Sequence, residues 1–454
     1  MKRLIALITV ALLTVTMLAG CGEAAALEDG FTEIVMWSGD SHAKTVMEGL
    51  VSEFNNTIGK DNKVKLVWEL KEGGSQELEI ALQNGKEPDL FVGSTLRKLA
   101  ENNYIMPLEE IPEIAETVAK NSDVKVERQN VYGGKMYIMA VASQVYGLAY
   151  NKDMFKEAGI VDENGDAKPP RTINEVREVA KKLTDNSKQK YGIVFPGKWG
   201  AWFGCEIQNA SLQTTGSMGY NFQKGEFDWS ALKPMINLVL DLKKDGSVYP
   251  GMEGVDNDPA RARFAEGNIG MKFTVSWDVG VWNDQFPAKC DWGVAPLPVV
   301  DGEKEYYQYK APTFSAYISR RNYETKGSKA VSLVFNWLYS DETIGKLYES
   351  CTYLPWRYDV IEDTILSNPK KGWEDFGEIV GLSTAVPPSM PSDTSAYETV
   401  AVDFLNRVWT GKISVDEWIK ERNKISNDGI KLYKELHPDE DFSDRVYPDF
   451  NIER

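Results

Sequence analysis

Aromatic and polar side chains at predicted strand ends are the residues of this chain best suited to hold a ligand. The sequence contains 13 Trp, 20 Tyr and 17 Phe. An indole face can stack on the C–H face of a sugar, and carboxylates or amides nearby can pair with its hydroxyls. Trp277 follows a predicted strand end, and Asp278 beside it adds a carboxylate. This pair predicts a stacking platform with a hydrogen-bonding partner, although a core tryptophan under a helix would give the same pattern.

Two further groups fit the same chemistry. Trp199 and Trp202 stand in the Gly-rich stretch GKWGAWF after the predicted strand Tyr191–Phe195, which favours exposure for binding. Gln144 is a polar amide within an otherwise apolar stretch, so a ligand or a neighbouring strand must satisfy it. Trp337, on the apolar face of a predicted helix, is expected to be a core residue.

The loops after the first and third predicted strands also carry polar side chains. Asp40 could accept two hydroxyls at once, or it could cap the helix predicted from Ala43. Ser94 and Thr95 follow the third strand and have the same two interpretations. Both loops lie at carboxyl ends of strands, where ligands bind in open α/β sheets.

Composition argues against several other kinds of site. Only two His occur, and Cys205, Cys290 and Cys351 are widely spaced. The sequence therefore predicts neither a zinc site nor a set of disulfide bonds. No nucleotide-binding or hydrolase motif is present, and no cofactor or metal is expected. The formal charge of −17 argues against nucleic acid as a partner.

The N-terminus predicts export and lipid anchoring. Residues 1–20 read as a signal peptide, with Lys2 and Arg3 before an apolar run, and Leu18 to Cys21 form a lipobox. We expect Cys21 to be lipidated, residues 21–30 to form a flexible tether, and the body to lie on the extracytoplasmic face of the cell membrane. An uncleaved anchor, or an ordinary signal with an incidental Cys, is the alternative.

The body alternates predicted strands and helices, beginning with a short strand at Ile34–Trp37, a helix at Ala43–Phe54 and a strand at Val64–Leu70. This alternation of strands and helices predicts an α/β fold with a parallel sheet that is covered by helices on both faces. About 434 residues beyond the signal peptide suffice for two or three domains.

One stretch, residues 133–160, reads GGKMYIMAVASQVYGLAYNKDMFKEAGI. It predicts a long buried strand that leads directly into a short helix capped by Asn151 and ended by Gly159. The sequence of this stretch resembles the first interdomain crossover of the family 1 extracellular solute-binding proteins, which are the receptors of bacterial ABC importers for sugars. Ala140 stands where that family often has Pro. The stretches GKEPDLF, RFAEGNIGMKFTVSW and WGVAPLPVVDG are similar to further family motifs, in the same order.

The resemblance implies a periplasmic-binding-protein-like fold, in which two α/β lobes enclose a ligand cleft and are joined by hinge crossovers. Carried onto this sequence, it assigns lobe 1 to 31–139 plus 317–375 and lobe 2 to 145–312 plus 385–454. It places the crossovers near 138–146, 311–318 and 376–390.

The same resemblance implies a monomeric, lipid-anchored receptor that delivers a carbohydrate to an ABC permease and catalyses nothing. Trp277 matches a family tryptophan, and Tyr397 falls where the family often has a cleft aromatic. A secreted carbohydrate-active hydrolase and a lipoprotein receptor for another solute, such as a peptide or an amine, remain alternatives. The sequence does not identify the sugar, its chain length or the permease.

Overall fold

Two β-sheets organise the chain into two α/β lobes. The structure, a computed structural model, describes residues 30–71, 73–93, 95–122, 125, 129–302 and 304–454. The predicted signal peptide, Cys21 and Ser94 lie outside the described residues. The predicted α/β class is confirmed.

The strands are numbered in chain order. They are β1 Thr32–Ser38, β2 Val64–Leu70, β3 Leu90–Phe91, β4 Val131–Tyr132, β5 Lys135–Met136, β6 Ala142–Asn151, β7 Tyr191–Ile193, β8 Tyr220–Asn221, β9 Glu226–Phe227, β10 Ile269–Val275, β11 Trp292–Ala295, β12 Gln308–Thr313, β13 Tyr317–Ile318, β14 Leu354–Pro355 and β15 Ser383–Thr384.

The α-helices cover the faces of the two sheets. They span Lys44–Asn56, Ile58–Asp61, Gly74–Asn84, Leu96–Glu101, Ala115–Asn121, Lys152–Glu157, Ile173–Leu183, Asn209–Thr215, Lys233–Lys244, Asn257–Ala265, Asp278–Gly280, Arg320–Lys326, Ser328–Leu338, Asp341–Glu349, Tyr358–Asp363, Trp373–Gly381, Val400–Asp403 and Val415–Leu436. Within the described ranges, no helix is both long and apolar enough to cross a bilayer.

The first sheet has the order β13-β3-β1-β2. β1 runs parallel to β2 along its whole length, from Thr32 opposite Val64 to Ser38 opposite Leu70, and it also runs parallel to β3. β13 closes the sheet antiparallel to β3. Because β1 and β3 are parallel neighbours, the loops that follow them emerge at the same edge of this sheet.

The second sheet is built around β6, which is buried along nearly its whole length. Its order is β15-β12-β6-β10-β7, and β11 and β14 also pair with β6. Ala142 and Ser143 pair with β12 on one side and with β14 on the other. On the β14 side, β10 continues along β6 up to Val275, which lies opposite Tyr146. The end of β10 therefore meets the start of β14 beside the middle of β6.

Each lobe has its own hydrophobic core. The first contains residues from β1, from the helix Lys44–Asn56 and from the helix Ser328–Leu338. Trp337 belongs to this core, as predicted, and is 8% exposed. The second lobe packs its helices on both faces of the β6 sheet, in two clusters rich in aromatic side chains.

The chain passes between the cores three times. At the first crossover, Val141 packs in the first core and Val145 in the second. At the second, β12 belongs to the β6 sheet and β13 to the first sheet. These two passages lie within residues 138–146 and 311–318.

The third passage lies earlier in the chain than predicted. The helix Trp373–Gly381 already packs with the second lobe, where Asp375 accepts a hydrogen bond from the Val294 backbone at 2.7 Å. Its Trp373 indole donates to the Tyr348 carbonyl at 2.9 Å, at the end of a first-lobe helix. The predicted boundary at 375 and the crossover at 376–390 are therefore wrong, because this helix buries its apolar face against β6 and β11.

Candidate functional site

A cavity of about 460 Å³ lies where the two lobes meet beside β6. We call it the central cavity. Asp40 and His42 line it from the first lobe, Ser276 and Trp277 from the second, and Gln144 from the first crossover. Three predicted site residues, Trp277, Gln144 and Asp40, are thus brought together by the fold.

The end of β10 presents Trp277 to this cavity. The Ser276 backbone donates to the Val145 carbonyl at 3.0 Å, which extends the pairing of β10 with β6 by one residue. The chain then turns into a short helix at Asp278–Gly280. Trp277 is left 45% exposed, although tryptophan is usually well buried. An indole held on a rigid strand end with a free face is suited to stacking against a ligand.

Asp40 both caps a local helical turn and lines the central cavity. Its Oδ1 accepts from the His42 backbone at 3.1 Å and so caps a short helical turn. Its Oδ2 accepts from the Tyr353 hydroxyl. Burial, together with the Asp40 carboxylate, raises the pKa of Tyr353 far above its usual value, so Tyr353 keeps its proton and remains the donor. Both interpretations of Asp40 from the sequence, helix cap and cleft residue, fit this geometry.

Gln144 lines the central cavity from β6. Its Nε2 donates to the Tyr146 hydroxyl at 2.8 Å. No described protein group donates to its carbonyl oxygen, which leaves that oxygen to accept from a ligand. The structural bond and the ligand contact, which the sequence left as alternatives, are therefore compatible in one side chain.

A second space of about 380 Å³ adjoins the central cavity, and Asp40 lines both. We call it the rim pocket. It is lined by Trp37 at the end of β1 and by Val92 and Gly93 after β3. The Lys71 ammonium lies 4.2 Å from the centroid of the Trp37 ring and covers one face of that indole.

The cations of this region are already paired with carboxylates. Lys71 lies 2.9 Å from Glu69 and 3.2 Å from Glu77. Lys370, which lines the central cavity, lies 2.6 Å from Asp284. Neither ammonium is therefore an unpaired charge awaiting an anionic ligand.

Two predicted site residues lie in the protein interior instead. Trp202 is fully buried and packs against Phe195, Phe203 and Phe404, with ring centroids 5.6 to 6.4 Å apart. The Gly-rich stretch turns into a helix at Trp202, so the indole points into the core rather than into the cleft. The ligand-binding prediction for Trp202 is wrong for this reason.

Asp278 is also a structural residue. It is 1% exposed, it pairs with the Arg261 guanidinium at 2.6 Å, and it accepts from the Thr274 hydroxyl at 2.7 Å. Its carboxylate is thus satisfied inside the second lobe and turned away from the central cavity, so its predicted role as ligand partner of Trp277 is not met.

The remaining candidates lie outside the lining of the central cavity. Trp199 is partly buried beside a water-sized space of about 10 Å³ near Glu206 and Arg261. Tyr397 is 56% exposed on the second lobe and does not line the central cavity. Thr95 precedes the helix Leu96–Glu101 without a side-chain cap bond.

Sequence reasoning missed Tyr353, which orients Asp40 within the cavity. The available signal was the group of aromatic residues Tyr353, Trp356 and Tyr358 on either side of Leu354-Pro355. Aromatic residues concentrated in this way indicate a segment that packs closely against its neighbours.

Comparison with known proteins identifies the family. Residues 39–344 match the model for bacterial extracellular solute-binding proteins. The chain belongs to this family. The solute-binding character that the sequence predicted is thereby confirmed.

The curated relatives of this chain have low sequence identity to it. The maltotriose-binding protein of Pyrococcus abyssi is 24% identical over 421 residues, which cover 90% of this chain and 82% of that protein. The sn-glycerol-3-phosphate-binding periplasmic protein of Brucella melitensis is 25% identical over 349 residues, or 73% of this chain and 76% of that protein.

Solved structures show the same fold. RafE from Streptococcus pneumoniae, in its apo form, has a TM-score of 0.67 at 16% identity and covers 89% of this chain and 99% of its own. The cyclic α-maltosyl-1,6-maltose binding protein from Arthrobacter globiformis has a TM-score of 0.67 at 18% identity, covering 89% of this chain and 100% of its own.

Proposed function

We propose that this solute-binding protein captures a carbohydrate in the central cavity and delivers it to the permease of an ABC importer. The observation that carries the proposal is the half-exposed Trp277, which shares one cavity with the carboxylate of Asp40 and the amide of Gln144. A stacking face beside hydrogen-bonding groups from the opposite lobe suits a polyol. The names of the maltotriose- and cyclic-maltosyl-maltose-binding relatives support the same ligand class.

A neutral sugar fits this cavity better than a phosphorylated polyol. One relative is named for sn-glycerol 3-phosphate. A phosphate group calls for cationic donors, and Lys71 and Lys370 are each neutralised by carboxylates. Displacing those carboxylates would cost part of the binding energy, so we favour an uncharged ligand.

Binding without catalysis is also part of the proposal. A glycoside hydrolase needs two carboxyl groups placed on either side of the scissile bond. In the central cavity, Asp40 is held by Tyr353, and Asp284 is held by Lys370. Both carboxylates are therefore already engaged by protein groups, which favours binding over hydrolysis.

The lipid anchor at Cys21 and a monomeric state complete the proposal. The lipobox at 18–21 supports anchoring on the outer face of the membrane, with the described body attached through the tether. Cys21→Ala should release the protein from the membrane fraction into the medium or periplasm, whereas Cys205→Ala should stay membrane-bound. Equal fractionation of both variants would contradict the anchor.

A thermal-shift panel tests the ligand class. The panel contains mono-, di- and trisaccharides, including maltotriose and raffinose, together with polyols and sn-glycerol 3-phosphate. At a hundredfold excess over Kd, a true ligand adds about 2.7 kcal/mol to the free energy of unfolding, which is plain in a melting curve. Stabilisation by the phosphate ester alone, or by no carbohydrate at all, would overturn the proposal.

A further inference from the structure

A third space, of about 230 Å³, lies at the hinge between the lobes. We call it the hinge chamber. Its walls are Gly93, Gln129 and Tyr317 from the first lobe, Thr313 from the second crossover, and Ala385 from the second lobe. A ligand in this chamber would therefore touch both lobes.

The hinge chamber shares lining residues with the other two spaces. Thr313 lines both the hinge chamber and the central cavity. Val92 and Gly93 line both the hinge chamber and the rim pocket. Thr313 thus lies between the hinge chamber and the central cavity, which Trp277 also lines.

Three hydroxyl groups line the hinge chamber without protein partners. They belong to Thr313, Ser315 and Tyr317. Within the part of the chain that the structure describes, none of these three side chains makes a hydrogen bond. Tyr317 is only 4% exposed, and burial raises its pKa well above the usual value, so its hydroxyl is neutral and can both donate and accept. A hydroxyl without a protein partner remains available to pair with a hydroxyl of a ligand.

The backbone bends around this chamber at Phe314. Its φ of +44° is left-handed, which for a bulky residue costs about 1–2 kcal/mol. The bend is held because the Phe314 carbonyl accepts from the Val141 backbone at 3.1 Å, and because the ring stacks on Tyr353 at 4.8 Å. Residues 312–315 and 317 consequently all line the chamber. Strain of this kind is found where a binding surface must be shaped.

The lining also indicates the charge of the occupant. None of the described residues that line the chamber is Asp, Glu, Lys or Arg. The polar lining consists of hydroxyls and amides, and Ile138 and Met139 supply apolar surface. Such a wall suits a neutral polyhydroxylated ring, which offers hydroxyls at its edge and C–H groups on its faces.

We propose that the hinge chamber is a second subsite, which holds a further sugar unit of a linear oligosaccharide whose first unit stacks on Trp277. This inference rests on the proposed function and narrows it, because it makes the ligand an oligosaccharide rather than a monosaccharide. The hydroxyls of Thr313, Ser315 and Tyr317 are the groups that recognise the second unit.

The test compares chain lengths. Affinities are measured by calorimetry for the mono-, di- and trisaccharide of the linear series that the panel selects. The wild-type protein should bind the longer members more tightly. Tyr317→Phe, which removes one hydroxyl, should weaken binding of the longer members by about threefold to tenfold and leave the monosaccharide unchanged.

Two further variants keep the result interpretable. Ser315→Ala removes a second chamber hydroxyl and should show the same dependence on chain length. Tyr323→Phe removes a hydroxyl that contacts Glu113 at the surface of the first lobe, and it should change no affinity. The subsite is overturned if wild-type affinity does not rise with chain length, or if Tyr317→Phe and Ser315→Ala affect every length equally or none. In those cases sugar binding itself, and hence the proposed function, still stands; failure of the wild type to bind any carbohydrate would overturn both.

Discussion

The side-chain amide of Gln144 donates to the hydroxyl of Tyr146 at 2.8 Å, and the two residues lie two positions apart on one face of β6. This bond engages the amide nitrogen and leaves the carbonyl oxygen of a side chain that lines the central cavity able to accept. Gln144 is thereby an acceptor for a ligand hydroxyl, in a crossover that both lobes share. Burial raises the pKa of Tyr146, so the phenol stays neutral and continues to hold the amide.

Gln144→Ala should lower sugar affinity about tenfold, because it removes both the acceptor and the side chain that carries it. Tyr146→Phe should have a smaller effect, since it frees the amide but leaves Gln144 in place. Titration calorimetry on the two variants checks the order. If Tyr146→Phe proved the more damaging for affinity at unchanged melting temperature, the assigned orientation of Gln144 would be wrong.

Trp277→Ala should lower sugar affinity at least about tenfold with little loss of stability, because this indole is already 45% exposed without ligand. Trp282→Ala is the matched control, five residues further on, where the indole is 1% exposed in the second lobe. That truncation should cost about 3–5 kcal/mol of unfolding free energy. Denaturant unfolding combined with calorimetry separates the two roles; a comparable destabilisation by Trp277→Ala would identify it as a core residue.

Asp278→Asn should lower the free energy of unfolding by about 3 kcal/mol, because it leaves the largely buried Arg261 without its closest counter-charge. Asp284→Asn breaks an exposed pair with Lys370 and should cost about 1 kcal/mol or less. Chemical denaturation of both variants provides the comparison. Equal free energies of unfolding for the two variants would show that the ion pair between Asp278 and Arg261 does not stabilise the fold more than the exposed pair does.

Glu206 should give the protein a pH-dependent stability. Its carboxyl is buried beside Lys272, whose ammonium donates to it at 3.0 Å, and burial raises its pKa from 4.5 to about 7. Between these values the folded protein binds the proton more tightly than the unfolded chain does. The stability that this group contributes is therefore fully present below about pH 4.5 and is lost as the pH rises through about 7.

The comparison for this prediction is Glu206→Gln, whose melting temperature should decline less than that of the wild type as the pH rises through this window. Because the Gln amide resembles the protonated carboxyl, the variant should come closest to the wild type in stability below about pH 4.5. Glu226→Gln, on an exposed hairpin, should follow the wild-type slope. Parallel curves for wild type and Glu206→Gln would show that the carboxyl does not titrate there.

Elements with a strong local pattern were predictable from the sequence. The strand Val64–Leu70 has the predicted bounds, and the local pattern of residues 173–183 forms a single helix. Both combine clear periodicity with local end signals, such as the Thr172 hydroxyl that accepts from the Glu175 backbone and caps the helix. The strand-end positions of Asp40 and Trp277 followed from the same reasoning, because β1 and β10 end at the predicted places.

Features decided by tertiary contacts were not predictable. The long strand expected within residues 133–160 begins only at Ala142, because the pairing partners β12 and β14 reach no further along it. The left-handed bend at Phe314 depends on Tyr353 and Val141, which are distant in sequence. The third crossover was misplaced because the helix Trp373–Gly381 is apolar enough for either core, and only its contacts with β6 and β11 decide between them.

Most tryptophans of this chain are buried, and their burial determines how the intrinsic fluorescence of the protein responds to a ligand. Trp202, Trp282 and Trp418 are fully enclosed, and Trp282 lies 5.2 Å from Trp292, whereas Trp277 is 45% exposed. Total fluorescence will therefore report mainly on the two cores and change little when a ligand arrives. Iodide, which quenches only indoles that it can touch, would reach Trp277 most readily, and the part of the quenching that a bound sugar suppresses becomes an optical measure of occupancy.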